Sequence, residues 1–170
     1  MSILTIDDFE SGKYKIPLDV KQEIDFQNYI DCVECEILPQ LFGVELYELF
    51  KADFDIIGTE PTDQRFKDVF DKFNKQNDCN IIQSEGIKEM LRGFIYFSYV
   101  RDLQTRLTTV GMTKTKHENS TWTDAVMHDL IERYNNAIGS YQAIQYFMCN
   151  MESSVYPEFK GVRKAYNHTF

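Results

Sequence analysis

Proline and glycine are scarce in this chain, four and eight residues in 170, which disfavours turn-rich sandwiches and barrels and leaves long helices as the economical fold. Long apolar runs are missing too. No stretch of eighteen uncharged apolar residues occurs, so no membrane span is expected. The segment Met1-Ser-Ile-Leu-Thr-Ile-Asp-Asp8 lacks the basic flank and apolar run of a signal peptide. The chain is therefore expected to stay in the cytoplasm where it is made.

Recognisable chemistry is equally sparse. Four cysteines, Cys32, Cys35, Cys79 and Cys149, are read as buried thiols in a reduced compartment. Cys32 and Cys35 have the spacing of a zinc or redox pair, but no second such pair or histidine pair completes four ligands. Two packed thiols are the better reading, and no metal or cofactor is expected. His117 beside Glu118, and His128 with Asp124 or Glu132, could be drawn as acid/base pairs. Each lacks a nucleophile, a phosphate loop or an orienting third group, so no catalytic residue is assigned. Glu34, Glu45 and Glu48 are read as a hydrated surface in the same way.

What is present in quantity is hydrophobic and aromatic material, 43% and 14% of residues, enough for one packed domain. Charge is unevenly spread: residues 1–63 carry fifteen acids against four lysines, while the remainder carries twelve acids against fourteen bases, giving the formal net of −9. The acidic front disfavours general nucleic-acid binding by that end.

The longest periodic stretch runs from Glu85 to Leu107. Ile87, Met90, Leu91, Phe94, Phe97, Val100 and Leu107 follow the three-and-four spacing of a helix, and Ile95, Tyr99 and Leu103 widen the stripe into most of a cylinder. Such girth is expected to need more cover than one chain supplies, from a bundle or from other copies. Arg101 interrupts the stripe. A buried arginine needs a carboxylate, expected from another helix or subunit, unless the side chain reaches out at the bundle edge.

Upstream, residues 1–18 read as a lead-in, and Asp19 with Gln22 fits a capping box. A helix then carries Ile24, Phe26, Ile30, Val33 and Ile37 until Pro39 stops or kinks it. A short helix follows over 41–50, with Gly43 read as a point of close backbone approach at the bend. Phe66, Val69, Phe70 and Phe73 predict a third short helix, ended by the polar run from Asn74 to Asp78. Ser84 is the expected cap of the central helix.

Residues 108–121, rich in threonine and polar, read as a loop longer than bundle connections usually are, either free to move or gripped by another molecule. The final long helix begins near Thr123 and Asp124, carries Leu130, Tyr134, Ile138, Tyr141, Ile144 and Met148, and should run antiparallel to the central one. The expected fold is thus all-α. It is a small bundle with two long antiparallel helices, shorter helices on the N-terminal side, a polar loop and an extended C-terminal tail. One helical domain over 1–152 would precede a tail over 153–170. Aromatic and basic residues on that tail suit a docking peptide, although a tail folded back on its own bundle fits the composition equally.

Four stretches carry a resemblance to a known family. They are Ile37-Leu-Pro-Gln-Leu-Phe-Gly43, Glu45-Leu-Tyr-Glu-Leu49, Phe94-Ile-Tyr-Phe-Ser-Tyr-Val-Arg101, and Thr108-Thr-Val-Gly-Met112 leading to Asn119-Ser120. In this order they resemble the head-tail connector proteins of tailed bacteriophages, also called adaptor or head-completion proteins, and in particular those of Bacteroides phages, including the crAss-like type. The likeness spans roughly residues 20–150; the longer acidic front and the extra short helix at 66–73 depart from it.

The resemblance implies a structural virion protein without enzymatic activity, located in the phage neck. Commonly twelve copies form a ring that joins the portal protein to tail or neck proteins and extends the DNA channel, through which DNA passes without specific binding. It assigns portal docking to the tail, with Tyr156, Phe159, Arg163, Lys164, Tyr166 and Phe170 as contacts. It assigns inter-subunit contact to the loop, through Val110, Met112, Lys114, Lys116 and Asn119, with Arg101 in a subunit or bundle ion pair. The reading from a different class is a soluble helical binding module, a regulator or inhibitor acting as monomer or dimer.

Overall fold

A computed structural model describes residues 2–17, 23–54, 60–77, 80–108, 111–114 and 124–160. Two short 3-10 turns, Ile6–Phe9 and Gly12–Tyr14, precede α1 (Glu23–Phe42), α2 (Val44–Ala52) and α3 (Gln64–Phe70). A hairpin of β1 (Phe73–Asn77) and β2 (Asn80–Ser84) leads into α4 (Ile87–Gln104). A second hairpin, β3 (Thr105–Thr108) with β4 (Gly111–Lys114), separates α4 from α5 (Asp124–Tyr146), whose last turns widen into a π-helix over Phe147–Met151. The protein is mostly helical, as expected, but strictly all-α it is not.

The two long helices are antiparallel: Glu85 N–H donates to Ser140 Oγ at 3.1 Å, while Phe97 stacks on Tyr134 with ring centroids 4.2 Å apart. Gly93 permits the approach. A Cβ on it would lie 2.7 Å from the Ala137 Cβ, so the helices meet nearly backbone to backbone. The N-terminal half of α4 is then wrapped by its own chain. Ile87, Met90, Leu91, Phe94 and Ile95 are each no more than 3% exposed. The expectation that this girth needs other copies is corrected for that half, because the N-terminal segment contributes cover that helix periodicity could not foretell. Leu4, Phe9, Tyr14 and Ile16 are all buried, with Phe9 edge-on to Phe26 at 5.1 Å. Beyond Ile95 the cover thins, and Tyr96, Phe97, Tyr99, Val100 and Leu103 are half-buried.

A second part of the core is a chain of rings. Phe50 meets Phe42 at 4.6 Å, Phe54 at 4.9 Å and Phe66 at 5.4 Å, joining α1, α2 and α3. Aromatic pairs at these separations add to what area burial gives.

Four further expectations shift. Pro39 lies inside α1, which continues to Phe42 and breaks only at Gly43. Gly43 serves conformation and not close approach: its φ is +75°, and nothing lies within 4 Å of the Cβ it lacks. The run from Asn74 does not merely end α3; it forms β1, paired with β2 from Phe73 opposite Ser84 to Asn77 opposite Asn80. Ser84 sits outside the cap position and accepts from Gly86 N–H at 3.1 Å.

The polar loop also changes. α4 stops at Gln104, and Thr105–Thr108 and Gly111–Lys114 pair as β3 and β4, with Leu107 opposite Met112 and Thr105 opposite Lys114. Threonine-rich sequence favours extended backbone because a branched Cβ suits a strand. The proposed cap at Asp19 and Gln22 lies outside the described residues.

Candidate functional site

The C-terminal half of α4 borders a groove of about 400 Å³, walled by Tyr29, Cys32, Val33 and Glu36 of α1, Phe97 and Asp102 of α4, and Tyr134 of α5. Its polar rim is organised around Asp102. Tyr29 Oη donates to Asp102 Oδ2 at 2.9 Å, and Arg101 Nε donates to Oδ1 at 3.1 Å. Burial and the neighbouring carboxylate together hold the Tyr29 phenol well above its ordinary range, so it acts as a hydrogen-bond donor and not as a base. Within the protomer Arg101 meets the carboxylate of its own neighbour on the same helix, and both side chains are exposed, so the guanidinium lies at the bundle edge. The guanidinium rests 5.8 Å from the Phe97 ring centre.

Cys32 and Cys35 are exposed, so the expectation of packed thiols is corrected for both; Cys149 is half-buried. Cys79, His117 and Glu118 lie outside the described residues. His128, Asp129 and Glu132 bring ligand atoms within 4.8 Å of one another on the first turns of α5, but all three are exposed and hydrated. Adjacent polar residues on one helix reach that spacing without any ligand.

The tail is held in place through residue 160. Tyr156 is 2% exposed, its ring facing Phe147 and its hydroxyl donating to the Arg65 carbonyl. Glu158 pairs with Arg65 at 3.4 Å, and Lys160 reaches Glu45 at 2.8 Å. Phe159 is half-buried against the core. Of the two arrangements the composition left open, residues up to Lys160 take the folded-back one: Tyr156, Glu158, Phe159 and Lys160 contact the bundle, and the Tyr156 ring is already engaged. Arg163, Lys164, Tyr166 and Phe170 lie outside the described residues. Of the loop contacts, Met112 and Lys114 fall on β4, while Val110, Lys116 and Asn119 lie outside the described residues.

Glu34 was placed on the hydrated surface by helix periodicity and is buried instead, at 2% exposure. Its carboxylate accepts from Ile3 N–H at 2.9 Å, Leu4 N–H at 2.8 Å and Ser2 Oγ at 3.2 Å. Burial raises its pKa against the lowering effect of those donors. A single acid on the polar side of a helical stripe gives no sign of this role, because its partners are main-chain groups thirty residues away.

No family model matches the chain, and no curated protein and no solved structure matches it.

Proposed function

We propose that this protein is a structural subunit of a phage neck, forming a ring that joins the portal to the tail and continues the DNA channel. The observation that carries the reading is the order of parts. A helix breaks at Gly43, a long helix runs into the paired strands β3 and β4, and a second long helix returns beside the first. This is the order on which the sequence resemblance rests. Further support comes from the exposed half of α4, where Phe97, Tyr99 and Leu103 keep apolar surface available beside the β3–β4 hairpin. Aromatic residues at partly open positions are what subunit contacts use. The acidic front suits a channel wall that repels phosphate and lets DNA slide.

In this reading the ring closes on the portal, and copies meet through the open half of α4 and the hairpin. The test is to mix the purified chain with the portal protein encoded alongside it and image the particles. A ring of about 240 kDa is expected if twelve copies of the 20.0 kDa chain close. Finding no ring and no binding to the portal would overturn the reading.

One observation favours the second reading, a soluble helical binding module. The self-wrapped half of α4 and the engaged Tyr156 make the protomer complete in much of its core. In that case the groove beside Tyr29 and Phe97 would receive a single partner, and the chain would stay monomeric or dimeric with the portal present.

A further inference from the structure

The outer face of α2 is exposed and amphipathic. Val44 (74% exposed), Glu45, Glu48 and Leu49 (41% exposed) fall at positions that share one side of the helix. Glu48 also meets Lys51 at 3.2 Å, and Lys51 lies over the Tyr47 ring, so the rim of this face is mixed in charge with acid predominating.

The chain itself delivers a complementary segment to this face. Tyr156 and the Glu158–Arg65 pair fix the backbone beside α3, and Lys160 then contacts Glu45 at the first turn of α2. That pair is exposed and contributes little energy alone. Its significance is the place where it leaves the chain. The ten residues that follow, Gly161-Val-Arg-Lys-Ala-Tyr-Asn-His-Thr-Phe170, hold two bases, one histidine, two aromatic rings and no acid. They lie outside the described residues. A nine-residue helix is about 13 Å long. Roughly five extended residues cover that distance, so the segment from Val162 to Tyr166 is long enough.

We propose that α2 is the seat of this chain's own C-terminal segment. The apolar and aromatic residues of that segment complement the exposed Val44 and Leu49, and its two bases complement Glu45 and Glu48. The same aromatic and basic groups that suit a docking peptide are thereby stowed on the protomer until a partner competes for them. This arrangement does not depend on the ring reading; it requires only that the segment leaves from Lys160.

The test uses the full chain with Val44→Cys as a reporter, alkylated under native conditions and read peptide by peptide by mass spectrometry. Exposed Cys32 in the same molecule is the internal standard. Adding Arg163→Glu and Lys164→Glu should speed modification at position 44 about fivefold relative to Cys32. Equal relative rates with and without the charge reversal would overturn the proposal. Protection at position 44 that strengthens with protein concentration would overturn it as well, by assigning the face to the tail of a second copy. A chain that forms no ring leaves either result intact, so the two readings fail separately.

Discussion

At the scale of single residues, the least foreseeable feature is Glu34, a carboxylate inside the core that organises the main chain of Ile3 and Leu4. Glu34→Gln keeps the shape but supplies one acceptor where two are used, and turns an amide N–H₂ toward a backbone N–H. Leaving a buried donor unsatisfied costs roughly 1–3 kcal/mol, so the free energy of unfolding measured by urea titration should fall by that amount. The pH dependence has a definite sign. A carboxyl whose folded pKa is raised binds its proton more tightly in the native state. Its contribution is greatest below the ordinary glutamate range and declines as pH rises through the raised folded value. Removing the titration in Glu34→Gln should flatten that decline, as unfolding curves collected between about pH 4 and 7 would show. Periodicity placed Phe26, Ile30 and Ile37 correctly in the core and could not place Glu34, because stripe reading knows only which residues share a face. It knows nothing of an N-terminal segment laid across them.

At the scale of elements, the long helices were legible and their joints were not. Helical spacing located α4 and α5 to within a few residues, since their apolar stripes are long and supported at every turn. The hairpins escaped because β1 is almost wholly polar after Phe73, and a strand whose outer face is hydrated leaves no alternation to read. The end of α1 was misplaced for another reason: proline disfavours a helix interior, yet the turn closes past it through the Gly43 N–H donating to the Pro39 carbonyl at 2.9 Å. The tail was visible as aromatic, and composition left docking elsewhere and folding back equally open. Tyr156 decides that, and the two parts of its anchor are separable. Tyr156→Phe removes only the hydroxyl and should cost about 1 kcal/mol. Tyr156→Ala also leaves the ring's space empty, and about 3–5 kcal/mol is expected, measured by denaturant unfolding. Only the alanine variant should accelerate hydrogen exchange throughout residues 153–160.

For the molecule as a whole, core and surface are divided along the length of α4. One half is enclosed by α5, α1 and the N-terminal segment of the same chain. The other half, with the groove and the β3–β4 hairpin, is where contact with something else would be made. If the protomer folds before it assembles, its thermal midpoint should not change over a hundredfold range of protein concentration in the absence of a partner. A midpoint that rises with concentration would show that folding and association are linked. Sequence resemblance suggested the ring and the order of parts suits it, but the surface proposed for contact between copies was not readable from composition. A half-covered helix and a fully covered one have the same apolar spacing.

The junction between α1 and α2 has a mechanical meaning. Tyr141 Oη and the Gln145 amide, both on α5, hold the Gln40 carbonyl, and Gln145 also reaches that of Leu41, so the final turn of α1 is clamped immediately before its glycine break. An elbow fixed so firmly on one side cannot absorb a load applied at the other. Force on α2 would pass through this joint into α5, making the pair a stiff strut and not a spring.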